Sequence, residues 1–545
     1  MPTARLALFC LLALAQATPP EQAEHISFPT STKSTKAQQH FQRGVWWLHN
    51  FGYEEAIDEF QAAQLADTGF AMAYWGEAMA YSQPLWYTEN ASAARRVLTL
   101  FGTGRAHSPR EQGYLDAVKI LFGGSGGAGA PGSDNDRAAR YEAYANAMEK
   151  LSASNPEDLE AACFHALALL ATVPRGSYDL AVRQRASSIA ASVLAKNPKH
   201  PGATHLMIHA NDDREHAHLA LDAARAYARM APATSHALHM PAHIFLQLGL
   251  WKEAVLSDEA SFTASELRVR RRKLSIVQRD YHSLSWLAYE YLQRGQFQNA
   301  RRAWVPIEDA IKIAEKSGSR VGWPSSEEHA HGDPAPADAA VLRSEFATMR
   351  AIHVVETGQW ELMKGQSSFE NVDELLAIGM SAAGLGDADR AASVHRLFEK
   401  FAREAKDPDD RALVTIYEAQ AAAAAARSGK SVQAALKEAA RAASIERTLP
   451  RPLGRPRPIK PSHELYGELL LETDRPREAM GEFEHALYRA ANRARSLIGL
   501  ARAQADAGDR ASARKTYARF LEMWANADEG LPEIAEARKA LGLKP

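Results

Sequence analysis

The sequence predicts an all-α chain built as a solenoid of helix–turn–helix units, and three observations predict it. Alanine is abundant and runs of β-branched residues are scarce, which favours helix. Apolar and small residues recur at helical spacing in paired blocks around short turns. The small residue that opens the second block of a pair returns after 34 positions, at Ala220 and Ala254 and again at Ala479 and Ala513. A non-repetitive bundle would not keep that phase in two distant places. The 545 residues carry 64 Lys+Arg against 66 Asp+Glu, a formal charge of −2, which excludes a protein whose main task is neutralising nucleic-acid phosphates. Two cysteines exclude a disulfide scaffold and any four-cysteine metal site.

Residues 1–17 read as a signal peptide. Arg5 gives the positive start, Leu6 to Ala15 the short apolar run, and Ala15-Gln16-Ala17 the small-x-small cleavage pattern. Ten apolar residues are too few for a bilayer span, which takes about 20, so stable membrane insertion is not expected. Cleavage near Ala17 gives a periplasmic or secreted chain starting at Thr18, with Cys163 as its single thiol.

Helical units are expected over 35–122, 137–318, 338–446 and 462–528. The first pair turns at Gly52, between the block ending at Phe51 and the block opening at Tyr53. Later turns fall at Gly295, Gly358, Gly386, Gly429 and Gly508. Three stretches interrupt the units: a Gly-rich linker at 123–136, a Pro/His loop at 319–337 and a Pro/Arg-rich connector at 447–461. The first lacks the Gly-Lys-Ser/Thr ending of a phosphate loop. The third favours polyproline II and a solvated course. Arg268 to Lys273 form a local basic run, expected on a solvated helix face or against an acidic partner.

This grammar resembles the tetratricopeptide repeat (TPR), a helix–turn–helix unit of about 34 residues, and roughly ten to twelve units fit nearly the whole chain. The resemblance implies a right-handed superhelix whose concave groove takes protein or peptide ligands. The segment His236-Ala-Leu-His239-Met-Pro-Ala-His243-Ile-Phe245 also resembles an exported bacterial subgroup with a His-x-x-His-Met-Pro-x-His-Ile-Phe signature.

The histidines crowd between His200 and His243. His205 and His209 are four apart on one helix face, as are His239 and His243, and each member of the second pair lies 34 after its counterpart. With Ala220 and Ala254 as twentieth positions, the pairs occupy positions 5 and 9 of consecutive units. His236 and His282 fall at position 2 and Cys163 at position 5 of the preceding unit. The resemblance implies that such positions line the concave groove. Imidazoles converging there suit zinc or copper, held at about 2.0–2.1 Å by three or four nitrogens, with His205, His209, His239 and His243 as one ligand set. Cys163 and Asp212 are next in line as ligand or supporting group, and Asp212 and Asp213 are the nearest carboxylates for any general base. The loop histidines His329 and His331 form a weaker cluster. Pro241, inside the signature, is expected either to kink its helix or to mark its start.

The letters of GxSxG and GxGxxG occur within the glycine-rich stretch 123–132, which reads as a linker and makes neither a nucleophile elbow nor a Rossmann fingerprint, and no HExxH or P-loop pattern is present, so no catalytic motif is assigned. Two readings stand: a scaffold binding a protein or peptide in a groove lined by His205, His209, His236, His239, His243 and His282, or a zinc or copper protein, or metalloenzyme, built on the same histidines.

Overall fold

The computed structural model describes residues 26–102, 106–123, 134–317 and 339–544. The signal-peptide reading, most of the Gly-rich linker, and His329 and His331 lie outside the described residues. The N-terminal part comprises α1 (Thr35–His49), α2 (Tyr53–Ala66), α3 (Ala71–Ala80), a hairpin of β1 (Ser82–Gln83) and β2 (Thr88–Glu89), α4 (Ala91–Phe101) and α5 (Pro109–Phe122). The middle follows with α6 (Asp134–Ser154), α7 (Leu159–Thr172), α8 (Leu180–Lys196), α9 (Pro201–Ala210), α10 (Leu221–Met230), α11 (Ser235–Leu248) and α12 (Trp251–Arg272). Next come α13 (Tyr281–Gln293), α14 (Phe297–Arg302), α15 (Trp304–Ser317), α16 (Ala339–Thr357), α17 (Val372–Gly384), α18 (Ala388–Glu404), α19 (Pro408–Ser428) and α20 (Val432–Thr448). The C-terminal part holds α21 (Ser462–Glu472), α22 (Pro476–Arg489), α23 (Ala494–Asp506), α24 (Arg510–Met523) and α25 (Pro532–Leu541). Among the described residues the only sheet is the two-stranded hairpin, paired Ser82↔Glu89 and Gln83↔Thr88. No described helix is long and apolar enough to cross a membrane.

The chain is an all-α, TPR-type solenoid, and its packing shows why the sequence folds this way. Consecutive helices are each other's main neighbours, and first helices of successive units touch as well. Phe60 on α2 lies between Gly44 on α1 and Gly76 on α3; a Cβ at either glycine would come within 2.6 or 2.3 Å of its ring. Phe483 on α22 repeats this with Gly467 on α21 and Gly499 on α23, at 3.0 and 2.4 Å. In both places the glycines stand sixteen residues to either side of the phenylalanine. The second helix of a unit thus drives its aromatic ring between two first helices, and only a missing side chain admits it. Side-chain caps start many helices, among them Ser34, Asp158, Asp280 and Asp509. Left-handed glycines end others, as at Gly249 and Gly295.

The superhelix closes on itself, and this departs from the open groove expected of such arrays. At the N-terminal end, Tyr227 Oη donates to Asn50 Oδ1 at 2.9 Å, and buried Arg268 on α12 pairs with Glu54 and Glu55 on α2. The basic run therefore meets an acidic partner, and that partner is the protein's own first unit. At the C-terminal end, Trp524 Nε1 donates to the Gln293 carbonyl, Trp251 Nε1 to the Asn492 carbonyl and Asn492 Nδ2 to the Gly249 carbonyl. The connector is not solvated either. α20 runs through 448, and the segment after it buries Ile459 and Lys460 and lays Gly454 on Trp286. Its backbone is held by side chains of the surrounding helices: Gln247 donates to the Pro452 carbonyl, Gln420 to the Lys460 carbonyl, and the Ile459 N–H donates to Tyr417 Oη.

Candidate metal centre

Positions 1 of the relevant units are helix starts: Leu159 opens α7, Pro201 α9, Ser235 α11 and Tyr281 α13. The register read from the repeat therefore holds, and positions 5 and 9 stand on the inner face of each first helix. α11 runs unbroken through Pro241, so His236, His239 and His243 share one helix.

The four expected ligands do not share one point. The structure distributes them over two triads, His205–His209–His236 and His239–His243–His282, with the facing atoms of each triad all within 4.8 Å of one another. The reason is the stagger between stacked helices. Positions 5 and 9 of one unit face position 2 of the next, not its positions 5 and 9. Each pair therefore recruits the position-2 histidine that follows it. One unit earlier the same three positions hold Cys163, Leu167 and Gly202, and no triad forms.

In the first triad, His205 Nδ1 lies 2.8 Å from the His49 carbonyl. A carbonyl only accepts, so this nitrogen carries the proton and Nε2 presents its lone pair. That Nε2 is 2.9 Å from His236 Nε2 and 3.0 Å from His209 Nε2. One lone pair cannot serve two ring nitrogens well, so the arrangement calls for a cation among the three. Phe51 stacks on His236 at 5.1 Å with a 10° interplanar angle and meets His205 edge-on at 4.4 Å. Trp86 abuts His236 and Tyr227 stacks on His205. His205 and His236 are 1% and 3% exposed, while His209 is half-buried.

The second triad is tied to carboxylates. His239 Nδ1 is 2.6 Å from Asp258 Oδ1 on α12, and His243 Nδ1 is 2.7 Å from Asp212 Oδ2, just past α9. Their Nε2 atoms face each other at 3.1 Å. With both carboxyls ionised, both Nδ1–H groups donate outward and two lone pairs meet across a space that suits a cation; in the metal-free chain burial and the Asp280 charge push the Asp258 carboxyl up, and a protonated Asp258 lets His239 Nε2 donate to His243 instead. Tetrahedral zinc with bonds of about 2.0–2.1 Å sets its ligand nitrogens about 3.3 Å apart, a few tenths of an ångström from what is seen. His282 brings its ring to 4.9 Å from that of His239, and Trp286 walls all three. Carboxylate–histidine pairs of this kind fix the ring and raise its basicity toward a metal.

Burial keeps these imidazoles neutral. It pushes His205 down to about 3 and His239 to about 4, and lowers His209, His236 and His243 as well. After burial, rings of one triad feel those of the other: His239 and His243 both act on His236. The triads are adjoining, with His236 and His239 one turn apart on α11. Neutral rings with inward lone pairs are metal-ready.

A third cluster shows the contrast. His49 Nε2 is 2.5 Å from Glu160 Oε2, and His200 Nε2 is 3.2 Å from Glu160 Oε1. His200 Nδ1 accepts from the Ala203 N–H, so its Nε2 donates. Burial alone would raise the Glu160 carboxyl, but the His200 and His49 rings outweigh it and hold it below the usual range. Two donors satisfy one carboxylate, and no cation is called for. Cys163, expected as a spare ligand, belongs here: its Sγ is 3.8 Å from His200 Nδ1. Asp213 turns to His216 and Tyr178 instead of either triad.

The sequence reading missed Asp258, Phe51, Trp286 and the connector. Asp258 carried a signal: it follows Ala254 by four and precedes Ser261 by three, on the inward stripe of α12, where an acid needs a partner. The other three reach the site through tertiary packing, which no local pattern records. The rings, expected to line an open peptide groove, are covered by the connector: Gln247 Nε2 donates to the Pro452 carbonyl, and the Leu453 backbone contacts His243.

No protein-family model matches the chain, and no curated protein matches it. Among solved structures it is similar to the Cut9–Hcn1 hetero-tetramer of the APC/C, at 12% identity and a TM-score of 0.30, covering 93% of this chain and 75% of that one. It is also similar to the human IFIT1 dimer with m7Gppp-AAAA, at 14% identity and a TM-score of 0.33, covering 93% and 94%. At these scores the likeness says nothing about ligands. The assignment to the TPR-type fold rests on the chain's own helix pairing, its 34-residue phase and the twice-repeated Gly–Phe–Gly wedge.

Proposed function

We propose that this chain is an exported helical-repeat protein that holds two transition-metal ions of the zinc or copper class, one in each histidine triad. The observation that carries the reading is the pairing of inward Nε2 atoms with outward Nδ1 atoms already engaged by the His49 carbonyl, Asp258 and Asp212. Three nitrogens per ion leave a fourth position for water or a small ligand. The half-buried members, His209 and His282, mark the side from which it would enter. Export rests on residues 1–17 alone, and N-terminal sequencing of the exported chain checks it, with Thr18 expected first and Met1 contradicting it.

A protein or peptide partner at the concave wall has no support at these rings, because the connector and the first unit cover them. Elemental analysis of the full chain after anaerobic dialysis against zinc and monovalent copper together tests the metal reading. Two equivalents per chain are expected, with loss of one in His209→Ala and one in His282→Ala at unchanged helicity. Retention of both equivalents in both variants would remove the triads from consideration.

A further inference from the structure

The two triads share a ligand set but not a surrounding. The rings of the second are backed by the carboxylates of Asp212 and Asp258 at 2.7 and 2.6 Å. Among the described residues no carboxylate hydrogen-bonds a ring of the first. His205 is backed by a neutral carbonyl, and the flanking groups are the aromatic rings of Phe51, Trp86 and Tyr227. From α8, Arg183 donates to the His209 carbonyl and sets a positive charge beside that ring. From the α1–α2 turn, Asn50 is neutral and occupied by Tyr227. Nearby buried acids are engaged elsewhere: Glu160 by the rings of His49 and His200, Asp212 by His243 and Asp213 by His216 and Tyr178.

Resting on the two-ion reading, we infer that the triads select ions of different charge: His205–His209–His236 takes monovalent copper, and His239–His243–His282 takes a divalent ion, zinc or cupric copper. A dication in the first triad would sit in an apolar box with no counter-charge and a guanidinium nearby, which low dielectric penalises steeply. Monovalent copper is softer, accepts three-coordinate imidazole and brings half the charge. In the second triad Asp212, and Asp258 once ionised, offset a dication through the rings that bind it, against the positive charge of Arg455 that also reaches His239.

Anaerobic titration with monovalent copper against a chromophoric chelator, and separately with zinc, tests this on the full chain. One equivalent of each is expected at high affinity, bound together. His209→Ala should lose the copper equivalent and keep zinc; His282→Ala should lose zinc and keep copper. Asp212→Asn, which keeps shape and hydrogen bonding, should weaken zinc about 10–100-fold and leave copper within threefold. If both triads take either ion with affinities within threefold, the selectivity is overturned while the two-ion reading stands. If neither ion binds stoichiometrically, the two-ion reading falls and the selectivity with it. Circular dichroism on each variant separates ligand loss from unfolding.

Discussion

Asp258 is fully buried on α12, where it holds the His239 ring at 2.6 Å and also hydrogen-bonds with buried Glu290. Its replacement therefore tests whether the carboxylate serves the metal or merely fills space. Asp258→Asn should lower zinc affinity at the second triad about 10–100-fold while the first triad is unaffected, as read by competition with a chelator. Equal weakening at both triads would mean a general structural defect. At this scale the sequence was legible where spacing decides. The 34-residue offset found His205, His209, His239 and His243, and the same register put His236 and His282 at position 2. It was not legible where two helices must be superimposed. That His236 closes the first triad, instead of joining its own neighbours His239 and His243, depends on the stagger between α9 and α11. No count along one chain supplies that.

Helices α1 and α9 meet where Gly202 leaves room for the His49 ring: a Cβ at Gly202 would stand 2.3 Å from His49 Nδ1. The contact matters to the site because the His49 carbonyl sets the tautomer of His205. Gly202→Ala should destabilise the chain by about 1–3 kcal/mol in denaturant unfolding, the usual range for overpacking, and should weaken the first triad more than the second. An unchanged midpoint would show that the ring can move aside at no cost. Element boundaries were largely readable among the described residues: the turn at Gly52 and the small residues Ala254, Ala479 and Ala513 on second helices. Pro241 was not. A proline normally interrupts a helix interior by removing a backbone bond and crowding the carbonyl of Ala237, yet α11 continues through it, held by buried contacts on every side. Tertiary packing overrode the local rule there, in the helix that carries three of the six rings.

The whole molecule is a superhelix closed by its two ends, and this was the part furthest from view. The basic run at the end of α12 read as a solvated face or a site for an acidic partner, and the Pro/Arg-rich connector as solvated; in the structure Arg268 pairs with Glu54 and Glu55 of the first unit and the connector's Pro452 carbonyl accepts from Gln247. Closure also fixes how stability follows pH. Burial holds His205 near 3 and His239 and His353 near 4, below the value of about 6.5 that each has in the unfolded chain. At these sites the unfolded chain takes up protons that the folded chain refuses, so their contribution to stability is full above about pH 6.5 and is lost as pH falls toward 4, against an opposite contribution from His200, Asp258 and Glu290, which the fold raises. Glu160, held below its usual range, adds a loss of the same sign below about pH 4.5. The metal-free chain should melt at a lower temperature at pH 5 than at pH 7, and a flat profile across that interval would contradict neutral buried histidines. The central claim is two ions in two triads, and anomalous scattering from a crystal of the metal-loaded full chain tests it most directly. Two peaks are predicted, each about 2.0–2.1 Å from three Nε2 atoms, one among His205, His209 and His236 and the other among His239, His243 and His282. A single peak shared by His205, His209, His239 and His243, or no peak at these rings in a loaded crystal, would contradict it.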